Sequence, residues 1–114
     1  MSDVTPLREI THILFHKYPA YTLDDLKRNH RKKGLVKNGY HYAVTPDGTI
    51  HVLRPEAWGG WFDKTFDDKA IGIALIGEMT TERARSRVDL TQLLQGKHTA
   101  DLDLVFVDKE RVLR

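Results

Sequence analysis

The sequence predicts an α/β (α+β) fold, a single-domain mixed β-sheet with flanking helices, and three observations carry this prediction. The chain has 114 residues, which suffice for one hydrophobic core and little more. Residues 10–16 are nearly all strand-forming and apolar, and residues 70–77 form an apolar run, as in strands that are covered on both faces. A segment with helix-capping signals and a hairpin lie between them. The coarse order is therefore β-α-β-β-β-α-β in one domain spanning residues 1–114.

The composition excludes several classes of protein. Hydrophobic residues make up 40% and charged residues 30% of the chain, as in ordinary globular proteins. The chain has no cysteine, so neither a disulfide framework nor a thiolate metal ligand is available. No apolar run reaches the length of a signal-peptide core or a membrane span. The sequence therefore predicts a cytoplasmic protein with no membrane partner.

The first predicted strand carries two histidines on one face. Residues 10–16 read Ile-Thr-His-Ile-Leu-Phe-His, so His12, Leu14 and His16 point to the same side. His12 and His16 lie about 13 Å apart along a strand, which is too far for the two to share a metal ion. His16 ends the strand, where a side chain is well placed to line a cleft. The alternative is an ordinary polar strand end.

The next segment is predicted to be a helix that begins at Thr22 and ends before Gly34. Thr22 is a favourable N-cap, and the two aspartates that follow suit the helix dipole. Lysine and arginine crowd between residues 27 and 33, although the net charge of the chain is only +2. This cationic face could attract an anionic polymer, or it could be a solvated helix face. A nucleic-acid partner is not predicted, because no second DNA-binding element accompanies the helix.

Residues 40–53 predict a β-hairpin that is closed by a Pro-Asp-Gly turn at residues 46–48. The flanking segments are rich in aromatic and β-branched residues, which favour strands. Strand alternation would place Tyr40 and Tyr42 on one face and His41 on the other. This hairpin could form the wall of a site, or it could be an ordinary half-buried hairpin.

The long loop at residues 54–69 concentrates aromatic side chains around a Gly-Gly pair. Loops of this length without regular structure are often functional. Trp58, Trp61 and Phe62 could form a lid or a stacking surface for sugars. In the alternative interpretation, these side chains fold back and close one end of the core.

The remaining elements are a strand, a helix and a strand. Residues 70–77 form a buried central strand whose small residues allow a close approach by a neighbouring element. The helix is predicted from about Thr80, and Gly96 is expected to end it. Residues 102–107 form the last strand, and residues 109–114 form a tail. The arginines of the helix region, at positions 83, 85 and 87, are expected to be exposed or in a mobile segment.

Taken together, these motifs resemble the zinc-dependent N-acetylmuramoyl-L-alanine amidases. This amidase-2 family includes phage lysozymes of the amidase type and peptidoglycan recognition proteins. The resemblance runs over about residues 10–77 and implies the amidase fold, shortened at the C-terminus, with residues 78–114 divergent. The motifs occur in the family's order: Ile-Thr-His-Ile-Leu-Phe-His at 10–16, His-Arg-Lys-Lys-Gly at 30–34, Gly-Tyr-His-Tyr at 39–42, Asp-Gly-Thr at 47–49, Arg-Pro at 54–55 and the strand at 70–77.

The resemblance also implies roles for individual residues. His16 matches the histidine that binds zinc at the end of the first strand. Tyr40 matches the catalytic tyrosine beside the metal-bound water, which helps to stabilise the tetrahedral intermediate. The candidate substrate-binding residues are His41, Trp58, Trp61 and Phe62.

The segment after residue 77 departs from the family pattern. The family's other two zinc ligands are a histidine followed by a cysteine or an aspartate. This chain has no cysteine, and its only later histidine, His98, is a weak second candidate for a ligand. The loop position at which many members have histidine is occupied by Trp61 or Phe62. No cofactor is therefore expected, unless His98 and an aspartate complete a zinc site in space.

The sequence thus predicts a shortened amidase-fold protein that is catalytically inactive. It would bind a peptidoglycan fragment, another ligand or a protein partner in the former active-site groove. Two alternatives stay open. One is an active zinc amidase that cleaves the bond between N-acetylmuramic acid and L-alanine, as a phage endolysin does. The other is a small phage or bacterial regulatory or inhibitor protein that acts by binding another protein.

Overall fold

The computed structural model describes residues 8–98 and 101–108, and its order of elements confirms the predicted one. The predicted tail at residues 109–114 lies outside the described residues. No helix in the described part combines the length and the apolar character needed to cross a bilayer. The elements are β1 (His12–Tyr18), α1 (Leu23–Lys32), β2 (Tyr42–Val44), β3 (Ile50–Val52), β4 (Ala70–Ile76), α2 (Thr81–His98) and β5 (Asp103–Asp108).

The five strands form one mixed sheet in the order β3-β2-β4-β1-β5. β2 and β3 are antiparallel, and the other neighbouring strands are parallel. All residues of β4 are buried, which explains its continuous apolar sequence. Leu26 of α1 packs on one face of the sheet, whereas Leu90 and Leu94 of α2 pack on the other. Side chains of β1 alternate between the two cores, so Leu14 lies on the α1 face and Phe15 on the α2 face.

α1 begins at the predicted cap and carries two buried side chains. The Thr22 hydroxyl accepts a hydrogen bond from the Asp25 N–H at 3.2 Å, and the Asp25 carboxylate accepts one from the Thr22 N–H at 2.9 Å. This capping box satisfies two backbone donors that the first turn cannot pair. After the helix, Gly34 has a φ of +85°, which residues with a side chain rarely adopt. The helix thereby holds Leu26 and His30 against the sheet.

Replacing Thr22 with alanine is expected to lower the free energy of unfolding by about 1 kcal/mol, because the Asp25 N–H loses its acceptor. Urea denaturation monitored by circular dichroism measures this loss. Thr22→Ser keeps a hydroxyl at the same place and should stay close to the wild type. Equal stability of the alanine and serine variants would show that the cap contributes little.

α2 extends further than predicted at its C-terminal end. It continues through Gly96 to His98, so the prediction that Gly96 ends the helix is wrong. The last turn is anchored by Gln95, whose side-chain carbonyl accepts from the Leu102 N–H at 2.6 Å and whose amide donates to the Leu102 carbonyl at 2.9 Å. A helix held by tertiary contacts can include a glycine, which costs only about 1 kcal/mol relative to alanine.

α2 also buries one of its arginines. Arg83 is only 4% exposed, so the prediction that it is exposed or mobile is wrong. Its Nη1 donates to the carbonyl of Ile76 at 3.2 Å and to the carbonyl of Gly77, both at the end of β4. These bonds hold the first turn of α2 against the sheet. Arg85, by contrast, is exposed as expected.

β2 is shorter than predicted, and this changes the direction of Tyr40. Strand pairing covers only Tyr42–Val44, so the strand alternation does not extend back to Tyr40. Tyr40 is buried in the core on the α1 face, whereas Tyr42 packs against the core on the α2 face. The prediction that these tyrosines share a face is therefore wrong. Gly39 allows the close approach of the Trp61 backbone just before Tyr40, because a Cβ there would lie 2.3 Å from the Trp61 carbonyl oxygen.

Candidate functional site

The structure brings together the two residues that the resemblance marks as zinc ligand and catalytic tyrosine. His16 lies near the end of β1 and is 0% exposed. Its Nδ1 is hydrogen-bonded to the Tyr40 hydroxyl, and that hydroxyl is also bonded to the hydroxyl of Tyr18. The Tyr40 hydroxyl can donate to His16 Nδ1 while it accepts from Tyr18, so one hydroxyl serves both neighbours. The three side chains form a buried polar chain on the α1 face of the sheet.

Aromatic rings enclose this polar chain. Phe62 stacks on Tyr40 with ring centroids 5.6 Å apart and meets His16 edge-on at 6.3 Å. On the other side, His30 of α1 stacks on Tyr40 at 5.7 Å, and its Nδ1 accepts the Gly39 N–H at 2.8 Å. The rings of His16, Tyr40 and Phe62 are all fully buried. In this conformation, solvent therefore does not reach the His16–Tyr40 pair.

The loop before β4 positions Phe62 by backbone hydrogen bonds. The Asp67 carboxylate accepts the N–H groups of Phe62 at 2.7 Å and of Asp63 at 2.8 Å. The Phe62 ring then lies over Gly72 of β4, where a Cβ would be only 2.5 Å from two ring carbons. Phe62 therefore folds back and closes the core, which was the alternative to a lid or a stacking surface.

The two tryptophans of the same loop are placed differently. Trp58 is 42% exposed, and the Arg54 guanidinium lies 5.4 Å from its ring centroid. Trp61 meets His30 edge-on at 5.3 Å, and Lys33 Nζ lies 5.1 Å from its ring centroid. Both tryptophans thus lie outside the buried chain, Trp61 at the basic end of α1 and Trp58 beside Arg54, and their substrate-binding role stays a prediction.

His41 is buried behind the hairpin, and its ring contacts backbone groups. Its Nδ1 accepts the Gly72 N–H at 3.0 Å, so the proton of the neutral ring lies on Nε2, which donates to the Trp58 carbonyl at 2.8 Å. Burial, together with the charges of Arg8 and Arg54, lowers the pKa of His41 to about 4, against the opposing effects of the bond to Trp58 and the charge of Glu56. His41 therefore connects β4 to the loop in its neutral form, and a substrate-binding role stays a prediction.

The structure does not bring His98 to His16. His98 ends α2 and lies 3.1 Å from the Glu56 carboxylate, which also contacts Lys97 at 3.1 Å and the Tyr42 hydroxyl. Tyr42 and α2 pack on the opposite face of the sheet from His16. In this structure His98 is a partner of Glu56, and its role as a second zinc ligand stays a prediction.

The surroundings of Glu56 are reflected in two pKa shifts. Burial raises the pKa of the Glu56 carboxyl, but its hydrogen bonds to Tyr42, His98 and Lys97 together outweigh burial and leave the pKa below its usual value. Burial and the neighbouring Glu56 both raise the pKa of Tyr42. This cluster fastens the last turn of α2 to the loop after β3.

The residues around His16 do not fit a zinc ion. Its register neighbours on the adjacent strands are Ala74 and Val107, which carry no donor atom. The Phe62 ring packs beside it, and its Nδ1 is bonded to Tyr40. No group of three His, Cys, Asp or Glu side chains in residues 8–98 and 101–108 could hold a metal ion, whereas a protein zinc site needs at least three such ligands.

An open groove lies beside the enclosed chain, between α1 and β3. It has a volume of about 300 Å³, and its lining includes three cationic side chains and no carboxylate. Val36 and Val52 are 96% and 74% exposed, so the groove also offers apolar surface. His30 lines the groove and also stacks on Tyr40, so it separates the groove from the buried chain. The lining residues are Lys27, His30, Arg31, Leu35, Val36, Lys37, Asn38, Val52 and Leu53.

Sequence reasoning missed His30 and Tyr18 as members of this region. A signal for His30 existed, because it follows the apolar Leu26 by one helical turn and so shares its buried face. Tyr18 likewise follows His16 by two positions on a strand, which places both on one side. The strand prediction ended at His16 and so left Tyr18 in the following loop.

Comparison with known proteins places the chain among amidases. Residues 6–103 match the Amidase_2 family model, which is described as N-acetylmuramoyl-L-alanine amidase. The endolysins of Escherichia phage T7 and Enterobacteria phage T3 are each 30% identical to the chain over 53 residues. That segment is 46% of this chain but only 35% of each endolysin, so the chain matches only part of the length of these relatives.

Solved structures share the fold. The amidase LysC from Clostridium intestinale URNW superposes with a TM-score of 0.71 at 26% identity, over 90% of this chain and 74% of LysC. Drosophila PGRP-LB also gives 0.71, at 20% identity, over 87% of this chain and 69% of PGRP-LB, which shows likeness of fold. Because the family model covers most of the residues, and the fold agrees, this chain belongs to the N-acetylmuramoyl-L-alanine amidase family.

Proposed function

We propose that this chain is a non-hydrolytic member of the amidase family that binds the peptide part of a peptidoglycan fragment in the groove between α1 and β3. The observation that carries the proposal is the contrast between two neighbouring places. His16 and Tyr40 are sealed under Phe62, and the described residues offer no group of three metal ligands, whereas the groove beside them is open and cationic.

The chemistry of the groove suits such a ligand. Peptidoglycan stem peptides carry free carboxylates and small apolar side chains. Lys27, Arg31 and Lys37 supply positive charge, and the exposed Val36 and Val52 supply apolar contact. A Drosophila PGRP-LB variant, 19% identical to this chain, has been solved in complex with tracheal cytotoxin. The fold is thus one on which a related protein binds a ligand of this kind.

Reversing the charge of the groove is expected to weaken muropeptide binding about tenfold or more. The double variant Lys27→Glu, Arg31→Glu replaces two attractive contacts by repulsive ones in the groove. Titration calorimetry with a soluble muramyl-peptide measures the dissociation constant. Loss of affinity at higher salt in the wild type would accompany this result.

A matched control lies on the same helix. Lys32 is exposed and does not line the groove, so Lys32→Glu should change the affinity by less than about twofold. If Lys32→Glu weakens binding as much as the groove variant, only general electrostatic attraction is at work. If the wild type binds no muramyl-peptide, the proposed function is wrong.

The second candidate is an active zinc amidase, and the direct contact between His16 and Tyr40 favours it. Elemental analysis of the purified protein decides between the two candidates, together with an assay for release of peptides that begin with L-alanine. The non-hydrolytic proposal expects less than stoichiometric zinc and no release. Stoichiometric zinc and a release that a folded Tyr40→Phe variant no longer shows would establish the amidase instead.

A further inference from the structure

A second pocket lies on the face of the sheet that α2 covers, opposite His16 and away from the basic groove. Lys17 alternates with His16 along β1 and so points to this other face. The cavity has a volume of about 170 Å³ and sits where the carboxyl ends of β1, β4 and β5 meet the first half of α2. Its lining residues are Lys17, Leu75, Met79, Arg83, Ala84, Arg87 and Phe106.

The pocket contains three cationic side chains and no carboxylate in its lining. Within the part of the chain that the structure describes, none of Lys17, Arg83 and Arg87 has a carboxylate within ion-pair distance. Arg83 is only 4% exposed and its guanidinium is fixed by the carbonyls of Ile76 and Gly77. Burial lowers the pKa of Arg83, which expresses the cost of a positive charge held there without an acidic partner.

Aromatic rings hold the other two cations at the edge of the pocket. The Arg87 guanidinium lies 5.7 Å from the ring centroid of Phe15 and 5.5 Å from that of Phe106. Lys17 Nζ lies 5.8 Å from the Phe106 ring, which itself stacks on Phe15. These contacts orient the cations while leaving their N–H groups available, because a ring face occupies no N–H donor as a carboxylate would.

The same pocket exposes apolar surface. Phe106 is 48% exposed and Met79 is 69% exposed, which are high values for large apolar side chains beside a cavity. The floor is formed by Leu75, which is 2% exposed. A ligand for this place therefore needs an apolar group for Phe106 and Met79 and an acidic group for the cations.

We propose that this pocket binds an organic anion in which a carboxylate is joined to one aromatic or branched aliphatic group. The ligand is either a small free acid or the C-terminal residue of a peptide, since both present the same chemistry. The volume of about 170 Å³ is below the range of about 300–1,000 Å³ that encloses drug-sized ligands, so the group inserted is of side-chain size. A nucleotide or a sugar chain would be too large.

This site is independent of the proposed function. It shares no lining residue with the basic groove, and it lies on the opposite face of the sheet from His16 and Tyr40. If muramyl-peptide does not bind the basic groove, the organic anion can still bind this pocket. If the organic anion does not bind, the proposal for the basic groove is not affected.

The test is a set of NMR titrations of ¹⁵N-labelled protein with 3-phenylpropanoate and with its amide. The acid is expected to shift the backbone N–H signals of Arg83, Arg87 and Phe106 in a saturable way. The amide, which has the same apolar group without the charge, should bind about tenfold more weakly or worse. A second titration uses Gly-Gly-Phe with a free and with an amidated C-terminus. If the free peptide binds more tightly than 3-phenylpropanoate, the ligand is a peptide C-terminus, and if it binds more weakly, the ligand is a small acid.

Two variants locate the binding. Arg87→Gln removes one cation from the pocket and should raise the dissociation constant of the acid about fivefold or more. Arg85→Gln, on the same helix but exposed and outside the pocket, should change it less than about twofold. Urea denaturation confirms that both variants fold. The proposal is overturned if no carboxylate binds, if acid and amide bind equally, or if the shifts fall on the basic groove instead.

Discussion

Phe62→Ala is expected to lower the free energy of unfolding by about 3–5 kcal/mol, which is among the largest losses a single substitution causes in a domain of this size. The Phe62 ring is fully buried between Tyr40, His16 and the backbone of Gly72. Its removal leaves a cavity next to a polar chain, and that cavity would have to collapse or fill with water. Urea denaturation at neutral pH measures the loss.

The Phe62 ring occupies the space that a side chain at Gly72 would need. A Cβ on Gly72 would lie 2.5 Å from the Phe62 ring, so Gly72→Ala alone should cost about 1–3 kcal/mol by overpacking. In the Phe62→Ala background the methyl group enters the cavity and should cost less than about 1 kcal/mol. A double-mutant cycle measures this coupling.

The control is a glycine without neighbours. A Cβ on Gly96 meets nothing within 4 Å, so Gly96→Ala should raise the free energy of unfolding by about 0.5–1 kcal/mol through helix propensity alone. If the losses of Phe62→Ala and Gly72→Ala simply add, the ring and the glycine do not compete for one space. Phe62 would then not be the side chain that closes the His16 site.

Phe62 fills the place beside His16 and Tyr40 in this conformation. A metal-assisted hydrolysis needs a nucleophile and a substrate carbonyl at the same open place. Here His16 and Tyr40 are kept in contact, but the space beside them is filled by a ring, and the neighbouring strand positions carry Ala74 and Val107. In this conformation, the Phe62 ring therefore occupies the space beside the His16–Tyr40 pair.

Most of the fold could be predicted from the sequence, because strong local signals agree with the tertiary structure. The apolar run of β4 is buried on both faces, and Thr22 caps α1 through the predicted interaction. Local signals failed where tertiary contacts override them. Gln95 holds α2 beyond the point at which Gly96 was expected to end it, and the Ile76 and Gly77 carbonyls draw Arg83 into the protein.

The site could be predicted only in part, for a geometric reason. The pairing of His16 with Tyr40 was implied by motifs, and the structure brings the two together. The side of the sheet on which a distant residue lies depends on helix crossovers that periodicity does not reveal, so the sequence could not place His98 relative to His16. The direction of Tyr40 was misjudged, because the strand begins only at Tyr42.

Acidification is expected to destabilise the protein through His41. In the folded state its pKa is lowered to about 4, whereas an unfolded histidine titrates near about 6.5, so the unfolded chain binds the proton first as the pH falls. The contribution to stability is present in full above about pH 6.5 and is lost progressively toward pH 4. At about 1.4 kcal/mol per pKa unit, the loss over this window is about 3 kcal/mol.

Measurements of unfolding free energy by urea at pH 7, 6, 5 and about 4.5 should follow this decline. The charged groups near the ring are Arg8, Arg54 and Glu56, and Glu56 has a lowered carboxyl pKa, so it titrates below most of the window. His41→Gln cannot gain the proton and should flatten the slope between pH 6.5 and 4.5, although it is less stable at pH 7 because the Gly72 N–H loses its acceptor. An NMR titration of the His41 ring gives its pKa directly. A value near 6.5, or an unchanged slope in His41→Gln, would show that the buried ring is not what makes the fold sensitive to acid.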